Sequence, residues 1–540
     1  MECGSERNYW RNGVDLVSET TSLARVIVRQ IIEAGITDVV ISPGSRNAPL
    51  SFAFFAASQK GLIKLHSRID ERTAAFFALG LAKASGRAVP IVCTSGTAVA
   101  NYHPAVLEAH HTNTPLLVLT ADRPARLRKT GANQTTEQAR IFGKSVRYFA
   151  DISGAVFPME LPLYSLANGP VHLNIQFEEP LAADSDSSWL DEITVAPRTI
   201  KSTKTPSSLK VKSERGVLVV GHDRGGFTVE EVNAFADQLG WPLVSEDPLS
   251  LKNAISHASL FLGSTAISKE LTPKTVIVIG RTTLSRSINT FIAAADKQIV
   301  IDSRIATVDT DRYADKRFTQ IPTLESNSAD QEWLEKWKKF SERTSKELEK
   351  VTQWSEPVLA RTVASHIKNG TTLFVSSSRP VRDIEAFATA RSGIETFANR
   401  GLAGIDGNIS TAMGIATART STIALLGDLS FLHDLTGLIH GDKPNLLILV
   451  VDNNGGGIFS TLAHRGSDGF ESIFGTPHNL DLSAIATALN IKTSSIKSVS
   501  QLEKELSQPI EGIRVVVAQM PDRESNADLL KQVHSSLQKI

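Results

Sequence analysis

Cysteine is almost absent: Cys3 and Cys93 are the only two in 540 residues. That excludes a disulfide framework and fits a reducing compartment. Neither sign of charge is in excess, with 57 Lys+Arg against 57 Asp+Glu. A protein that holds nucleic acid or an anionic membrane through a bulk positive field is therefore not expected. Long apolar runs are missing too. Leu446–Val451 and Thr275–Ile279 are among the most apolar stretches; they fall far below the ~18 residues of a membrane span and read as buried strands. The first residues, MECGSERNYWRNGVDL, lack the apolar core of a secretory signal. The expectation is a soluble cytoplasmic chain with no nucleic-acid or membrane partner. At ~150 residues per domain it should hold about three or four domains.

Several familiar motifs are also missing. There is no G-x-G-x-x-G, and the run Gly401-Leu402-Ala403-Gly404-Ile405-Asp406-Gly407 has the wrong spacing for a dinucleotide site. Gly143-Lys144-Ser145 ends like a nucleotide phosphate loop, but Gln138 stands where an earlier glycine is required. No H-E-x-x-H or cysteine cluster suggests zinc, and His110-His111 reads as a helix-surface pair. No G-x-S-x-G elbow suggests a hydrolase.

What is present is a repeated texture of short β-branched run, polar turn and helical pattern. Asp38–Ile41, Pro90–Cys93, Pro115–Thr120 and Val171–Phe177 are such runs. The alternation predicts βαβ units, and so three αβ domains, each with a mostly parallel sheet flanked by helices. The first spans 1–182, a polar linker 183–215, the central domain 216–350 and the third 351–540. In Gln331–Lys350, Trp333, Leu334, Trp337 and Phe340 mark one helical stripe, which predicts a surface helix packed on its own domain.

Ligands of open parallel sheets bind at the carboxyl ends of strands, so the residues after each run are the informative ones. In the first domain these are Pro43-Gly44-Ser45-Arg46-Asn47, Asp70-Glu71-Arg72, Thr94-Ser95-Gly96-Thr97 and Ala121-Asp122-Arg123-Pro124. In the third they are Ser376-Ser377-Ser378, Asn399-Arg400-Gly401, Gly427-Asp428 and Asp452-Asn453-Asn454-Gly455. Asp428 and Asn453 are 453 − 428 = 25 residues apart, room for one crossover between neighbouring strands. A carboxylate, an amide oxygen and a backbone carbonyl there would make half of an octahedral Mg²⁺ shell. Gly-Asp and Asn-Gly are equally at home as plain turn residues. Glu71 has two readings as well: a first-turn acid favoured by the helix dipole, or a carboxyl group that exchanges a proton with a bound ring. Position alone does not separate them.

The strings SPGSRNAPL (42–50), DER (70–72), TSGTAVAN (94–101), TADRP (120–124), GANQ (131–134), NRGLAGIDG (399–407), GDLS (427–430) and NNGGGIF (453–459) run through the chain in order. With the early glutamate and the late GD…NN pair, the chain resembles the thiamine-diphosphate enzyme superfamily, and within it the carboligases of menaquinone biosynthesis. The resemblance implies a thiamine-diphosphate-binding fold in the first and third domains, which would take the cofactor's pyrimidine and its diphosphate and metal respectively. It implies thiamine diphosphate with Mg²⁺ (or Mn²⁺), 2-oxoglutarate and isochorismate as substrates, and a homodimer or dimer of dimers with active sites at the subunit interface.

By the same resemblance, Glu71 activates the cofactor and Ile405 keeps it bent. Asp428, Asn453 and the carbonyl of Gly455 hold the metal. Ser45, Arg46, Arg123, Asn133 and Gln134 would face isochorismate; Ser378, Arg382 and Arg400 would surround the succinyl end, with Ser378 also touching the cofactor. Ile458, Phe459 and Leu462 would form an apolar wall. Arginine suits such a site, because both substrates carry carboxylates that it binds bidentately. Arg126, Arg128 and Lys129 read instead as surface ion pairs. The resemblance breaks in the central domain, where family members can carry a Lys-Arg pair. The loop here is Gly280-Arg281-Thr282-Thr283-Leu284-Ser285-Arg286-Ser287, so Arg286 fills one role and position 287 has no second base. Two rivals stay open at this point: a carboligase or decarboxylase for a one-carboxylate 2-oxo acid, and an inactive anion-binding scaffold on the same folds.

Overall fold

A computed structural model of the chain describes residues 18–154, 159–181, 186–195, 207–211, 215–304, 314–325, 329–439 and 441–539. Cys3 lies outside them. The β-branched runs form strands because they are buried on both faces, and each is stopped by a polar turn. The first sheet holds β1 (Asp38–Ile41), β2 (Lys64–Ser67), β3 (Val89–Cys93), β4 (Leu116–Asp122), β5 (Tyr148–Ser153) and β6 (Val171–Gln176), in the order β2-β1-β3-β4-β6-β5. A short strand β7 (Ser208–Leu209) precedes the central sheet of β8 (Gly216–Val220), β9 (Leu243–Ser245), β10 (Thr275–Ile279), β11 (Lys297–Ile301) and β12 (Lys316–Phe318). Its order is β12-β11-β10-β8-β9, and β13 (Thr323–Leu324) pairs with β7 beside it. The third sheet holds β14 (Thr372–Val375), β15 (Glu395–Phe397), β16 (Thr422–Gly427), β17 (Leu446–Asp452), β18 (Lys492–Ile496) and β19 (Ile513–Gln519), ordered β15-β14-β16-β17-β19-β18. All these pairings are parallel.

Counted from its own first strand, the third sheet has the same order as the first, 2-1-3-4-6-5. The two domains share a topology that no short sequence repeat announces. They also share a core. One apolar cluster runs from Val40, Phe77, Ile91 and Val118 to Met413, Ile448 and Val515. At its centre helix Glu71–Ser85 crosses helix Asn408–Thr417. A Cβ on Gly80 would lie 2.1 Å from the Thr411 carbonyl oxygen, and one on Gly414 would lie 2.0 Å from that of Phe77. Two glycines let the backbones approach this closely. Gly80→Ala improves helix propensity by about 1 kcal/mol, yet it should destabilise the protein by about 1–3 kcal/mol through overpacking. A lowered denaturation midpoint checks this, and an unchanged or raised one refutes it.

The stretch expected to link the first two domains is ordered where it is described. Leu190 is buried against the first core with Trp189 beside it, and Leu209 is buried in the central core. Trp189 and Leu190 are the apolar residues that stand out from its polar composition. Helix Gln331–Glu349 packs as its stripe predicts, with Trp333, Trp337 and Phe340 in the core of the central domain. No described helix is long and apolar enough to cross a membrane.

Candidate active site

β16 and β17 are parallel neighbours with Gly427 opposite Val451, so Asp428 emerges beside Asp452 at the carboxyl edge. The buried Asp428 carboxylate accepts hydrogen bonds from its own neighbour's amide, Leu429 N (2.7 Å), and from Gly455 N (2.7 Å). Gly455 needs to be glycine here: its φ is +135° and a Cβ would sit 2.2 Å from the Gly475 carbonyl oxygen. His478 closes the group, with Nε2 3.3 Å from Asp428 Oδ2 and 3.5 Å from Asp452 Oδ1. The Asp428 hydrogen bond raises the His478 pKa, while burial and the Asp428 charge raise that of Asp452. Asp452 belongs to the strand-end loop read from the sequence, whereas His478 carries no sequence signal. His478 lies 50 positions beyond Asp428, outside any motif spacing.

Asn453 is buried on the next position of the same loop. Its Nδ2 donates to Glu356 Oε1 at 2.6 Å, and its Oδ1 is buried with no hydrogen-bond partner among the described residues. Glu356 opens helix Glu356–His366, and its carboxylate lies 3.6 Å from Arg379 Nε; Arg379 also pairs with Asp383. Burial pushes Asp383 up to about 7. Glu356, Arg379, Asp383, Gly427 and Asn453 all border one small cavity of about 20 Å³.

The expected succinyl-end residues meet where the third and central domains touch. Ser378 has φ +73°, a conformation rarely taken by a residue with a side chain, and its carbonyl accepts from Arg382 Nη1 at 2.6 Å. Arg400 differs from expectation in being largely committed within the protein. Its Nε and Nη2 are donated to the buried Glu246 of the central domain at 3.1 and 2.8 Å, leaving the Nη1 edge open. The loop carrying it is held from the first domain too, because Glu108 accepts from Gly401 N and Leu402 N, each at 2.8 Å. Nearby, burial and the Glu246 charge push the Glu385 carboxyl well above the ordinary carboxylate range. Glu246 directly follows β9, so the same strand-end logic applied to the central domain finds it. Arg286, expected to reach a substrate from there, is exposed at the start of helix Arg286–Ala293 and makes no hydrogen bond or ion pair among the described residues. The neighbouring Arg281 instead reaches the first domain, donating to the His111 carbonyl at 3.0 Å.

In the first domain, Asp70 caps helix Glu71–Ser85 by accepting from Arg72 N and Thr73 N. The cap leaves Glu71, half-buried at the first helical position, without a hydrogen-bond or ion-pair partner among the described residues. Its charge is felt by the buried Cys93 and Tyr102. Arg123 Nη1 donates to Ser95 Oγ (2.7 Å) and to the Gln134 carbonyl (2.8 Å), and Gln134 Nε2 donates to the Ser95 carbonyl at 3.0 Å. Arg46 donates to the Phe177 carbonyl at 3.0 Å and to Glu179 at 3.3 Å, and is close enough to Arg123 to depress its pKa further after burial. Ser45 and Asn133 are exposed on the same loops. Arg46, Arg123 and Gln134 therefore come together, with Ser45 and Asn133 beside them in sequence. Arg126 forms the expected surface ion pair, with Glu178 at 2.7 Å, and the exposed Lys129 lies 3.7 Å from Glu137; Arg128 corrects the surface reading, because its largely buried side chain pairs with the fully buried Asp122 at 2.8 Å and with Asp151 at 2.7 Å.

Ile405 is half-buried, and its carbonyl accepts from Ser430 Oγ at 3.0 Å, so it sits close to the Asp428 helix. Ile458, Phe459 and Leu462 are half-buried after the Asn453 loop, with the Phe459 ring 5.4 Å from that of Phe474. The donor set of the third domain fits a hard cation. It offers the Asp428 carboxylate and the orphaned Asn453 Oδ1, a buried oxygen that is costly to leave unpaired.

This fold and edge chemistry agree with three family models that match in chain order. They are the N-terminal TPP-binding domain of thiamine pyrophosphate enzymes (residues 21–141), the middle domain of thiamine pyrophosphate enzymes (182–375) and their C-terminal TPP-binding domain (384–519). The class defined is that of the thiamine pyrophosphate enzymes. A crystal structure of benzoylformate decarboxylase from Polynucleobacter necessarius shares the fold, with a TM-score of 0.66 over 93% of this chain and 98% of that one, at 15% identity. Curated relatives are more similar in sequence. The 2-succinyl-5-enolpyruvyl-6-hydroxy-3-cyclohexene-1-carboxylate synthase of Nocardioides sp. is 40% identical, covering 95% of this chain and 97% of its own. The synthases of Saccharopolyspora erythraea (36%; 96% and 99%) and Bacillus cytotoxicus (34%; 94% and 94%) follow the same pattern. The chain belongs to the 2-succinyl-5-enolpyruvyl-6-hydroxy-3-cyclohexene-1-carboxylate synthase family.

Proposed function

We propose that the protein decarboxylates 2-oxoglutarate and adds the succinyl unit to isochorismate, the carboligation of menaquinone biosynthesis, as a cytoplasmic homodimer or dimer of dimers. Whole-chain similarity to synthases of that name carries the reading. When bound, thiamine diphosphate supplies the electron sink that lets a 2-oxo acid lose CO₂. Asp428, Asn453 Oδ1 and the Gly455 carbonyl would hold Mg²⁺ (or Mn²⁺), which would supply the positive charge that anchors a diphosphate. Glu71, without a hydrogen-bond or ion-pair partner among the described residues, would hold or move a proton at the pyrimidine end of the cofactor, and Ile405 would pack beside it.

The arginines divide the two substrates. Arg382 and the open edge of Arg400 face the distal carboxylate of 2-oxoglutarate beside Ser378. Arg46 and Arg123, with Ser45, Asn133 and Gln134, take the carboxylates of isochorismate, and Ile458, Phe459 and Leu462 exclude water from the reacting carbons.

The direct test supplies isochorismate, 2-oxoglutarate, thiamine diphosphate and Mg²⁺ and follows isochorismate absorbance, omitting each in turn. Loss of the signal on any omission supports the reading. Turnover of pyruvate with no need for isochorismate favours a simpler carboligase, and failure to release CO₂ from 2-oxoglutarate favours an inactive scaffold. Arg123→Ala should spare the decarboxylating half-reaction and weaken isochorismate use, and Arg382→Ala should do the reverse. Each loss should be a few kcal/mol, of the order seen when a partner of a charged contact is truncated. Single-turnover kinetics of the two half-reactions show whether the effects divide this way.

A further inference from the structure

We infer that Glu356 is a positioning residue that fixes which end of the Asn453 amide faces the metal, and so tunes the cation affinity of the site. The inference rests on the metal role proposed above for Asn453. An asparagine amide has two ends of nearly equal size and opposite chemistry, one a donor and one an acceptor. A cation can use only the oxygen. Which end points at it depends on what holds the other.

Here the other end is held by a group that can only accept. Asn453 Nδ2 donates to Glu356 Oε1 at 2.6 Å in a buried setting. Glu356 is 4% exposed and sits in the first turn of helix Glu356–His366, where the helix dipole favours negative charge. Arg379 stands 3.6 Å from its second oxygen, so the carboxylate is paired as well as buried. If the amide turned over, two oxygens would face each other, and the orphaned Oδ1 would no longer be offered to a cation. The space for this amide is built by a glycine: a Cβ on Gly457 would lie 2.3 Å from Asn453 Nδ2. Glu356 comes from a segment 97 positions before Asn453, with no motif of its own.

Outer groups that orient a metal ligand typically change metal affinity by about 10–100-fold when replaced. The test titrates Mn²⁺ into the full-length protein with thiamine diphosphate and reads free Mn²⁺ by electron paramagnetic resonance, without substrate. Glu356→Gln, which can donate as well as accept, should weaken Mn²⁺ by about 10–100-fold at an unchanged cation-free melting temperature. Asn453→Ala should weaken it too, and the double variant should be no worse than Asn453→Ala alone. Wild-type affinity in Glu356→Gln, or losses that multiply in the double variant, overturn the positioning role. Wild-type affinity in Asn453→Ala overturns the metal reading beneath it. Should Glu356→Gln not fold, Glu356→Asp keeps the charge and withdraws it by one carbon. Weaker Mn²⁺ binding by that variant supports the inference, and unchanged binding refutes it.

Discussion

Glu71→Gln is expected to lower turnover by about 10²–10⁴, the range of general acid–base catalysis by a positioned side chain. In barrier height that is about 3–5 kcal/mol. The substitution removes a titratable proton with almost no change of shape. Glu71 has no hydrogen-bond or ion-pair partner among the described residues, and Asp70 rather than Glu71 caps the helix. Fold and cofactor affinity should therefore stay near wild type. The direct measurement is hydrogen–deuterium exchange at C2 of bound thiamine diphosphate. Exchange as fast as in the wild type would contradict the role given to Glu71, whatever happens to turnover.

Co-expression of two inactive variants should restore about a quarter of wild-type activity. Glu71 and Asp428 lie in different domains, and the proposed dimer joins Glu71 of one subunit to Asp428 of its partner at each of two sites. Asp428→Ala removes the carboxylate that anchors the cation, so cofactor binding should fail; Glu71→Gln should bind cofactor and turn over slowly. In a mixed dimer one site collects both defects and the other collects neither. With random pairing about half the dimers are mixed and half their sites intact, which leaves about one quarter. The competing outcome has a structural basis. Within one chain, Arg72 donates to the His433 carbonyl at 2.9 Å and Thr436 donates to Asp70 at 2.6 Å, so the Glu71 turn already touches the third domain. If one chain supplied both residues to one site, every site would keep a defect and no activity would return.

Much of this protein is legible along the chain because its strands and their exits are local features. Asp38–Ile41 and Thr275–Ile279 are strands as their apolar runs predict, since a run that short and β-branched is buried only in a parallel sheet. Glu71, Arg123, Asp428 and Asn453 stand at strand ends, where turn chemistry marks the place and the parallel sheet makes that place a ligand edge. The polar segment before the central domain reads as a linker because its few apolar anchors, Trp189, Leu190 and Leu209, are too sparse to show a period, and which cores they join is set by the fold.

The sequence alone determined the αβ class, the strongly apolar strands, the loops that follow them and the family. Strand order and domain packing were decided only in three dimensions. The shared order 2-1-3-4-6-5 and the close crossing at Gly80 and Gly414 depend on contacts between segments hundreds of residues apart, which leave no periodic trace. The same holds for the groups that govern the site residues. Glu246 claims two donors of Arg400, His478 closes on Asp428, and Glu356 takes the amide nitrogen of Asn453. A local pattern records which residue leaves a strand; what meets it there is set by the packing of the whole chain, since a buried charge or amide must find its partner wherever the fold brings one.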